Sequence, residues 1–145
     1  TGHKQIKGEL RGLPFGQAEQ LREGNKVALL VFGTLLASAL EVAEEIDASV
    51  YNMRFVKPLD TDTIKKALGQ HELLVTIEDN AITGGAGSAV SEYLNQQNLP
   101  ANLLQIGFPD EFINHGHPGE LLADWNLDRS GILKTVEQRV KELLI

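Results

Sequence analysis

Predominantly apolar segments alternate along the chain with segments of helical periodicity. Val27–Phe32, with the sequence VALLVF, is apolar throughout, which is typical of a strand covered on both faces. Shorter and predominantly apolar segments at Ser49–Met53, Leu73–Ile77 and Leu103–Ile106 predict three more strands. Phe15–Arg22 is polar and is followed by turn residues. We therefore interpret it as an exposed edge strand that forms a hairpin with Val27–Phe32.

Between these strands, apolar residues recur every three or four positions. The segment after Thr34 has this spacing, and Thr34 is a suitable N-cap for it. Asp60 follows a proline and a leucine and can cap a second helix. The predicted helices are Leu35–Ile46, Thr61–Leu68, Ala89–Gln97, a short one near Gly119–Asp124 and a last one near Ser130–Leu144.

This order of elements indicates one α/β domain. Strands that alternate with helices favour crossover connections and a mainly parallel sheet with helices on both faces. The predicted fold class is therefore a three-layer α/β/α arrangement, with a mostly parallel five-stranded sheet and one antiparallel edge strand. Residues 1–12 have no clear period, so we interpret them as a linker that precedes a domain spanning residues 13–145.

Composition narrows the classes of partner. The 145 residues fit one domain, and 42% of them are hydrophobic, as in ordinary globular proteins. A formal net charge of −7 argues against nucleic acid or an anionic membrane as partner. No apolar segment approaches the roughly 20 residues that span a bilayer. The absence of cysteine excludes disulfides and thiolate metal sites and suits a cytoplasmic protein.

A glycine-rich segment follows the Leu73–Ile77 strand and is the first candidate for chemistry. A loop with Gly84, Gly85 and Gly87 before a helix is a geometry that binds phosphate. However, the third glycine of the dinucleotide fingerprint and the P-loop lysine are missing. Glu78 and Asp79 would also repel a phosphate. We favour close backbone packing, with the carboxylates capping the loop or contacting a partner.

Arg54 is the second candidate. Its guanidinium could bind an anion through paired donors. It could equally form an ion pair with Asp60, Asp62 or Glu78 and fix the turn between strand and helix. Because acidic residues are plentiful, we favour the ion pair.

The remaining polar residues give no self-contained active site. His115 and His117 have a spacing that could hold a metal, but no signature supplies a third ligand. A hydrogen bond or an interface contact is the preferred role for them. None of the serines lies in a Gly-x-Ser-x-Gly elbow.

Three segments together resemble a known family. VYNMRFVKPLDTDTI, residues 50–64, and VTIEDNAITGGAGSAV, residues 75–90, are similar to blocks of the transketolase-type C-terminal domains. IGFPDEFINHGHPGELL, residues 106–122, followed by NLDRSGI, resembles more narrowly the end of the 1-deoxy-D-xylulose-5-phosphate synthase family. Transketolases and β subunits of 2-oxo-acid dehydrogenases share the first two blocks and remain alternatives, as does a free-standing Rossmann-like ligand-binding module.

The resemblance implies a longer parent enzyme that uses thiamine diphosphate and Mg²⁺. Such an enzyme condenses pyruvate with glyceraldehyde 3-phosphate and releases carbon dioxide, supplying isoprenoid and thiamine synthesis. In this family the cofactor, the metal and the main catalytic residues belong to two other domains, and the present chain resembles the part that follows them. We therefore expect a non-catalytic domain that packs on those domains and supports a homodimer.

The resemblance and the predicted topology together suggest contact residues. Polar side chains and glycines at the carboxyl ends of parallel strands lie where open α/β sheets place their sites. The residues expected to contact neighbouring domains or a dimer partner are Arg54, Glu78, Asp79, Gly84, Gly85, Gly87 and His115.

Overall fold

A computed structural model of the chain describes residues 14–81, 85–108, 122–124 and 126–145. Strands and helices alternate through these ranges, as the sequence predicts. Residues 122–124 are also helical. The longer elements are β1 (Glu19–Arg22), β2 (Val27–Phe32), α1 (Leu36–Ile46), β3 (Ser49–Asn52), α2 (Thr61–Gln70), β4 (Leu73–Ala81), α3 (Ala86–Gln96), β5 (Leu103–Phe108) and α4 (Arg129–Leu143).

The five strands form one sheet in the order β1-β3-β2-β4-β5. Strand β2 runs parallel to both β3 and β4, and β4 runs parallel to β5. Among the described strands only β1 is antiparallel, and it lies at the edge beside β3. The predicted fold class is therefore confirmed.

The predicted hairpin between β1 and β2 is wrong, because β1 pairs with β3 instead. The turn after β1 carries the chain past the start of β3. There the Gly24 amide donates to Ser49 Oγ over 2.8 Å, and the Asn25 amide donates to the Asp47 carbonyl over 2.7 Å. The two neighbours of β2 are then β3 and β4, which suits a strand that is apolar on both faces.

Apolar side chains fill both faces of the sheet. Alternate residues of β2 point to opposite sides, so Val27, Leu29 and Val31 pack with α1 and α4. Ala28 and Leu30 pack on the other face, with α2 and α3. The unbroken apolar sequence of β2 follows from this two-sided burial.

Two helix starts differ from the predicted ones. Thr34 does not cap α1, whose N-cap is Leu35 and has no side-chain hydrogen bond. Helix α3 begins at Ala86, earlier than the predicted Ala89. Asp128 caps α4 by accepting the Gly131 amide over 2.9 Å, a cap that the sequence reasoning missed. Half of the short helix predicted near residues 119–124 lies outside the described residues, and the described half, residues 122–124, is helical.

The predicted cap at Asp60 is confirmed, and it joins two segments. Its carboxylate accepts the Thr63 amide over 3.0 Å, the Thr63 hydroxyl over 2.7 Å and the Ala18 amide over 2.7 Å. Burial alone would raise the pKa of Asp60, but these bonds and one from the Asp62 amide together lower the pKa below its ordinary value. Asp60 therefore fixes both α2 and the segment that leads into β1.

Replacing Asp60 with alanine should lower the free energy of unfolding by about 2–3 kcal/mol at pH 7, because a helix cap and a long-range hydrogen bond are lost. Because folding lowers the pKa of Asp60, its carboxylate stabilises the folded protein at pH values above the unfolded pKa of 3.8. That stabilisation is lost as the pH falls through the folded pKa. Urea unfolding at pH 7 and pH 3 should show the difference shrinking at pH 3. Asp62→Ala, which changes an exposed neighbouring acid, is the control. If Asp60→Ala lowered the free energy of unfolding equally at both pH values, the role given to the Asp60 carboxylate would be contradicted.

Candidate functional site

Strands β2 to β5 are parallel, so their carboxyl ends meet at one edge of the sheet, here called the carboxyl edge. Open α/β folds place their ligand-binding sites at the carboxyl ends of their parallel strands. Arg54 follows β3 at this edge, and Glu78 and Asp79 lie near the end of β4. Gly85 and Gly87 lie at the start of α3. Two other predicted site residues, Gly84 and His115, lie outside the described residues.

Glu78 is fully buried and holds the first turn of α3. Its Oε1 accepts the Ala86 amide over 2.8 Å, and its Oε2 accepts the Gly87 amide over 2.7 Å. The first amides of a helix lack partners within the helix, and a carboxylate there also complements the helix dipole. The preferred interpretation of this loop, with a carboxylate capping it, is therefore confirmed for Glu78.

Burial dominates the ionisation of Glu78. Removal from water raises the pKa of this carboxyl above its ordinary value of 4.5, although the amides of Gly87 and Ala86 act in the opposite direction. The nearby charge of Asp79 adds to the increase in pKa. In the described part of the chain, none of the ion pairs involves Glu78.

Asp79 holds the turn between β2 and α1. Its Oδ2 accepts the Thr34 hydroxyl over 2.6 Å and the Thr34 amide over 3.2 Å. Gly33 precedes Thr34 with a φ of +104°, and a Cβ built on Gly33 would lie 2.4 Å from Asp79 Oδ1. Thr34 thus donates to a carboxylate 45 residues away instead of capping the helix that follows it.

The two adjacent carboxylates serve opposite faces of the sheet. Successive side chains of a strand point to opposite sides. Glu78 points to the face covered by α2 and α3, and Asp79 reaches the start of α1 on the other face. One pair of acids in β4 therefore fixes the beginnings of two helices in two different layers.

Gly87 lets α3 begin directly over the sheet. A Cβ built at this position would lie 2.8 Å from Thr76 Oγ1 and Gln105 Oε1, and 3.0 Å from Glu78 Oε2. Gly85 is the N-cap residue, and its carbonyl accepts the Ala89 amide over 3.2 Å. The predicted close backbone packing of this segment is confirmed where the structure describes it.

Arg54 does not form the predicted ion pair with Asp60, Asp62 or Glu78. Its Nη1 donates instead to two backbone carbonyls, of Gln17 over 2.9 Å and of Pro14 over 3.3 Å. The backbone of Arg54 has a φ of +67°, in the left-handed region that residues with a Cβ adopt uncommonly. The prediction failed because these carbonyls belong to a segment that sequence spacing does not place beside β3.

The described edge is poorly suited to a diphosphate or a metal. The amides of Ala86 and Gly87, which a phosphate would need, already bind the carboxylate of Glu78. Among the described residues, no group of three or more His, Asp or Glu side chains could hold a metal ion.

No helix in the described ranges is long and apolar enough to cross a membrane.

Comparison with known proteins identifies the domain. The family described as "Transketolase, C-terminal domain" matches residues 16–132. The chain belongs to this family. A structure described as "Split gene transketolase, inactive beta4 tetramer", where beta4 names an assembly and not a strand, superimposes with a TM-score of 0.79 at 28% identity. The match covers 87% of this chain and 43% of that chain.

Curated relatives of this transketolase C-terminal domain carry a narrower name. The 1-deoxy-D-xylulose-5-phosphate synthase of Shewanella sediminis is 54% identical over 97% of the chain. The protein of the same name from Pseudomonas aeruginosa is 51% identical over 93% of the chain. The aligned region is 22% of the length of each relative. The chain therefore matches about one fifth of these longer proteins.

Proposed function

We propose that this chain is the C-terminal domain of a 1-deoxy-D-xylulose-5-phosphate synthase. The observation that carries the proposal is 54% identity over 97% of the chain to a protein of that name. The split-gene transketolase that shares the fold is only 28% identical. The parent enzyme would condense pyruvate with glyceraldehyde 3-phosphate and release carbon dioxide, in a pathway that supplies isoprenoids and thiamine.

The cofactor of such an enzyme would lie outside this domain. Thiamine diphosphate would supply the electron sink for decarboxylation, with Mg²⁺ holding its diphosphate. The helix start that most resembles a phosphate site here already binds Glu78 through both of its first free amides. The same observation argues against a free-standing nucleotide-binding module. We therefore assign no catalytic, cofactor-binding or metal-binding role to the described residues.

The proposed role of the domain is to pack against the rest of the parent chain and to support its homodimer. The candidate contact residues are Arg54, Glu78, Asp79, Gly84, Gly85, Gly87 and His115. Glu78 and Gly87 are buried within the domain, so they would act by fixing the position of α3. The tetrameric assembly named for the split-gene transketolase is consistent with self-association of chains that carry this fold.

The proposal can be tested by activity. The 145-residue chain, supplied with thiamine diphosphate and Mg²⁺, should not turn over pyruvate and glyceraldehyde 3-phosphate, whereas the parent polypeptide should. Removing this domain from the parent should lower kcat/KM by about 100-fold or more, because small displacements of reacting groups have effects of that size. Carbon dioxide release and formation of the sugar phosphate are the two readouts.

Two controls make the activity test decisive. The parent lacking the domain must still bind thiamine diphosphate, which shows that its other domains are folded. Turnover by the 145 residues alone would refute the assignment of a non-catalytic role. A parent that folds but does not form the sugar phosphate would refute the assignment to the synthase.

A further inference from the structure

An exposed phenylalanine packs against a half-buried one on the carboxyl-edge side of the domain. Among the described residues the large exposed apolar side chains are Phe15, Val56 and Leu144, with exposures of 75%, 37% and 90%. The Phe15 ring lies against the ring of Phe55, with centroids 4.8 Å apart, and Val56 follows Phe55 in the chain. Phe15, Arg54, Phe55 and Val56 are here called the aromatic platform.

The aromatic platform is held in place by its own contacts. The Arg54 guanidinium lies 4.9 Å from the centre of the Phe55 ring, within the range of a cation–π interaction. The same guanidinium donates to the carbonyls of Pro14 and Gln17, which fixes the segment that carries Phe15. Phe15 is therefore positioned but remains mostly in water.

A positioned aromatic ring in water is a feature of interaction surfaces. Burying a phenylalanine side chain fully is worth about 1.5–3 kcal/mol, and most of that is unrealised while Phe15 remains exposed. Aromatic residues and arginine are also the types enriched at the energetic centres of interfaces. The aromatic platform has this composition in a chain whose formal net charge is −7.

The position of the aromatic platform in the chain favours one partner over others. Pro14 accepts a hydrogen bond from Arg54, so the polypeptide that precedes it starts at the edge of the aromatic platform. In the relatives, 22% of the length is matched and the remainder lies elsewhere in the same protein. Thirteen residues span at most about 45 Å when fully extended. A domain joined through residues 1–13 would therefore stay within about that distance of the aromatic platform, and its effective concentration there would be in the millimolar range.

We propose that the aromatic platform is the docking surface for the domain that precedes this one in the same polypeptide. The inference rests on the proposed function, since it requires a parent chain. The partner surface would present an apolar hollow for Phe15 and carboxylate or carbonyl oxygens for the remaining N–H groups of Arg54. Docking there would fix the direction in which the chain enters the domain.

Hydrogen exchange tests the docking in the parent polypeptide. The amides of residues 15–18 and 53–57 should exchange at least 10-fold more slowly in the parent than in the 145-residue chain. Phe15→Ser should abolish that difference in the parent. The unfolding midpoint of the 145-residue chain should change little, because Phe15 is mostly exposed. Leu144→Ser is the matched control, since Leu144 is also exposed but lies after the last turn of α4, and it should leave the exchange unchanged.

Three outcomes would overturn the proposal. The first is equal exchange of the aromatic platform in the parent and in the 145-residue chain. The second is full protection in a correctly folded Phe15→Ser parent. The third is protection in the 145-residue chain that rises with its concentration, which would show that a second copy is the occupant. Because none of these readouts depends on turnover, a failure of the proposed enzyme activity would be seen separately.

Discussion

Gly33→Ala should destabilise the domain by about 3 kcal/mol, the sum of backbone strain and a steric collision. Gly33 has a φ of +104°, which residues with a Cβ rarely adopt. The added Cβ would also lie 2.4 Å from Asp79 Oδ1 and displace the carboxylate that binds Thr34. The free energy of unfolding, measured with urea, is the readout, and the start of α1 should lose protection in hydrogen exchange.

Gly69→Ala is the matched control for Gly33→Ala. Gly69 lies in α2, and a Cβ added there would meet nothing within 4 Å. Alanine should therefore stabilise the protein by about 0.5–1 kcal/mol, because it is the better helix former. Gly33→Ala combined with Asp79→Ala should cost less than the sum of the single changes, since the collision disappears. Additive effects in this double-mutant cycle would contradict the assigned contact.

The layered fold could be predicted from the sequence because its signals are local. A six-residue apolar segment such as Val27–Phe32 predicts a strand buried on both faces, and both faces are indeed covered. Asp60, placed just before a periodic segment, predicts the cap that the structure shows. Each of these signals depends on residues within a few positions of one another, where spacing determines geometry.

The partners of the site residues could not be predicted in the same way. Threonine often precedes a helix, which predicts Thr34 as a cap, yet its hydrogen-bond partner Asp79 is 45 residues away. The many acidic residues favour an ion pair for Arg54, yet its guanidinium binds the carbonyls of Pro14 and Gln17. Both outcomes depend on strand order, and the sequence suggested β1 beside β2 where the sheet has β1 beside β3.

The sequence predicts a structural role for the paired acids, but it does not predict which helix each carboxylate holds. A pattern of two carboxylates before a glycine-rich loop indicates that one of them caps a helix N-terminus, and Glu78 does accept the first amides of α3. The pattern cannot show that the neighbouring carboxylate turns to the other face and holds a different helix. That division follows from the extension of β4 to Ala81, beyond the predicted end at Ile77, which keeps both acids inside a strand.

Glu78→Ala should produce the larger loss, about 3–5 kcal/mol, because the amides of Ala86 and Gly87 would lose their acceptors in a buried place. Glu78→Gln keeps the size and one acceptor oxygen, but its side-chain amide NH2, which is a donor, would face the second backbone N–H, so about half of that loss is expected. Urea unfolding gives the free energies, and hydrogen exchange should show fraying of the first turn of α3. Glu72→Ala, an exposed acid just before β4, is the control.

The pH dependence of Glu78→Gln tests the cause of the raised pKa. A carboxyl whose pKa is raised by folding contributes most stability below its unfolded pKa, and that contribution is lost as the pH rises through the folded pKa. The advantage of the unmodified protein over Glu78→Gln should therefore be greatest near pH 4 and should shrink above the ordinary value of 4.5. This trend is opposite to that expected for Asp60. An advantage that grows with pH would show that the two amides and the helix dipole outweigh burial.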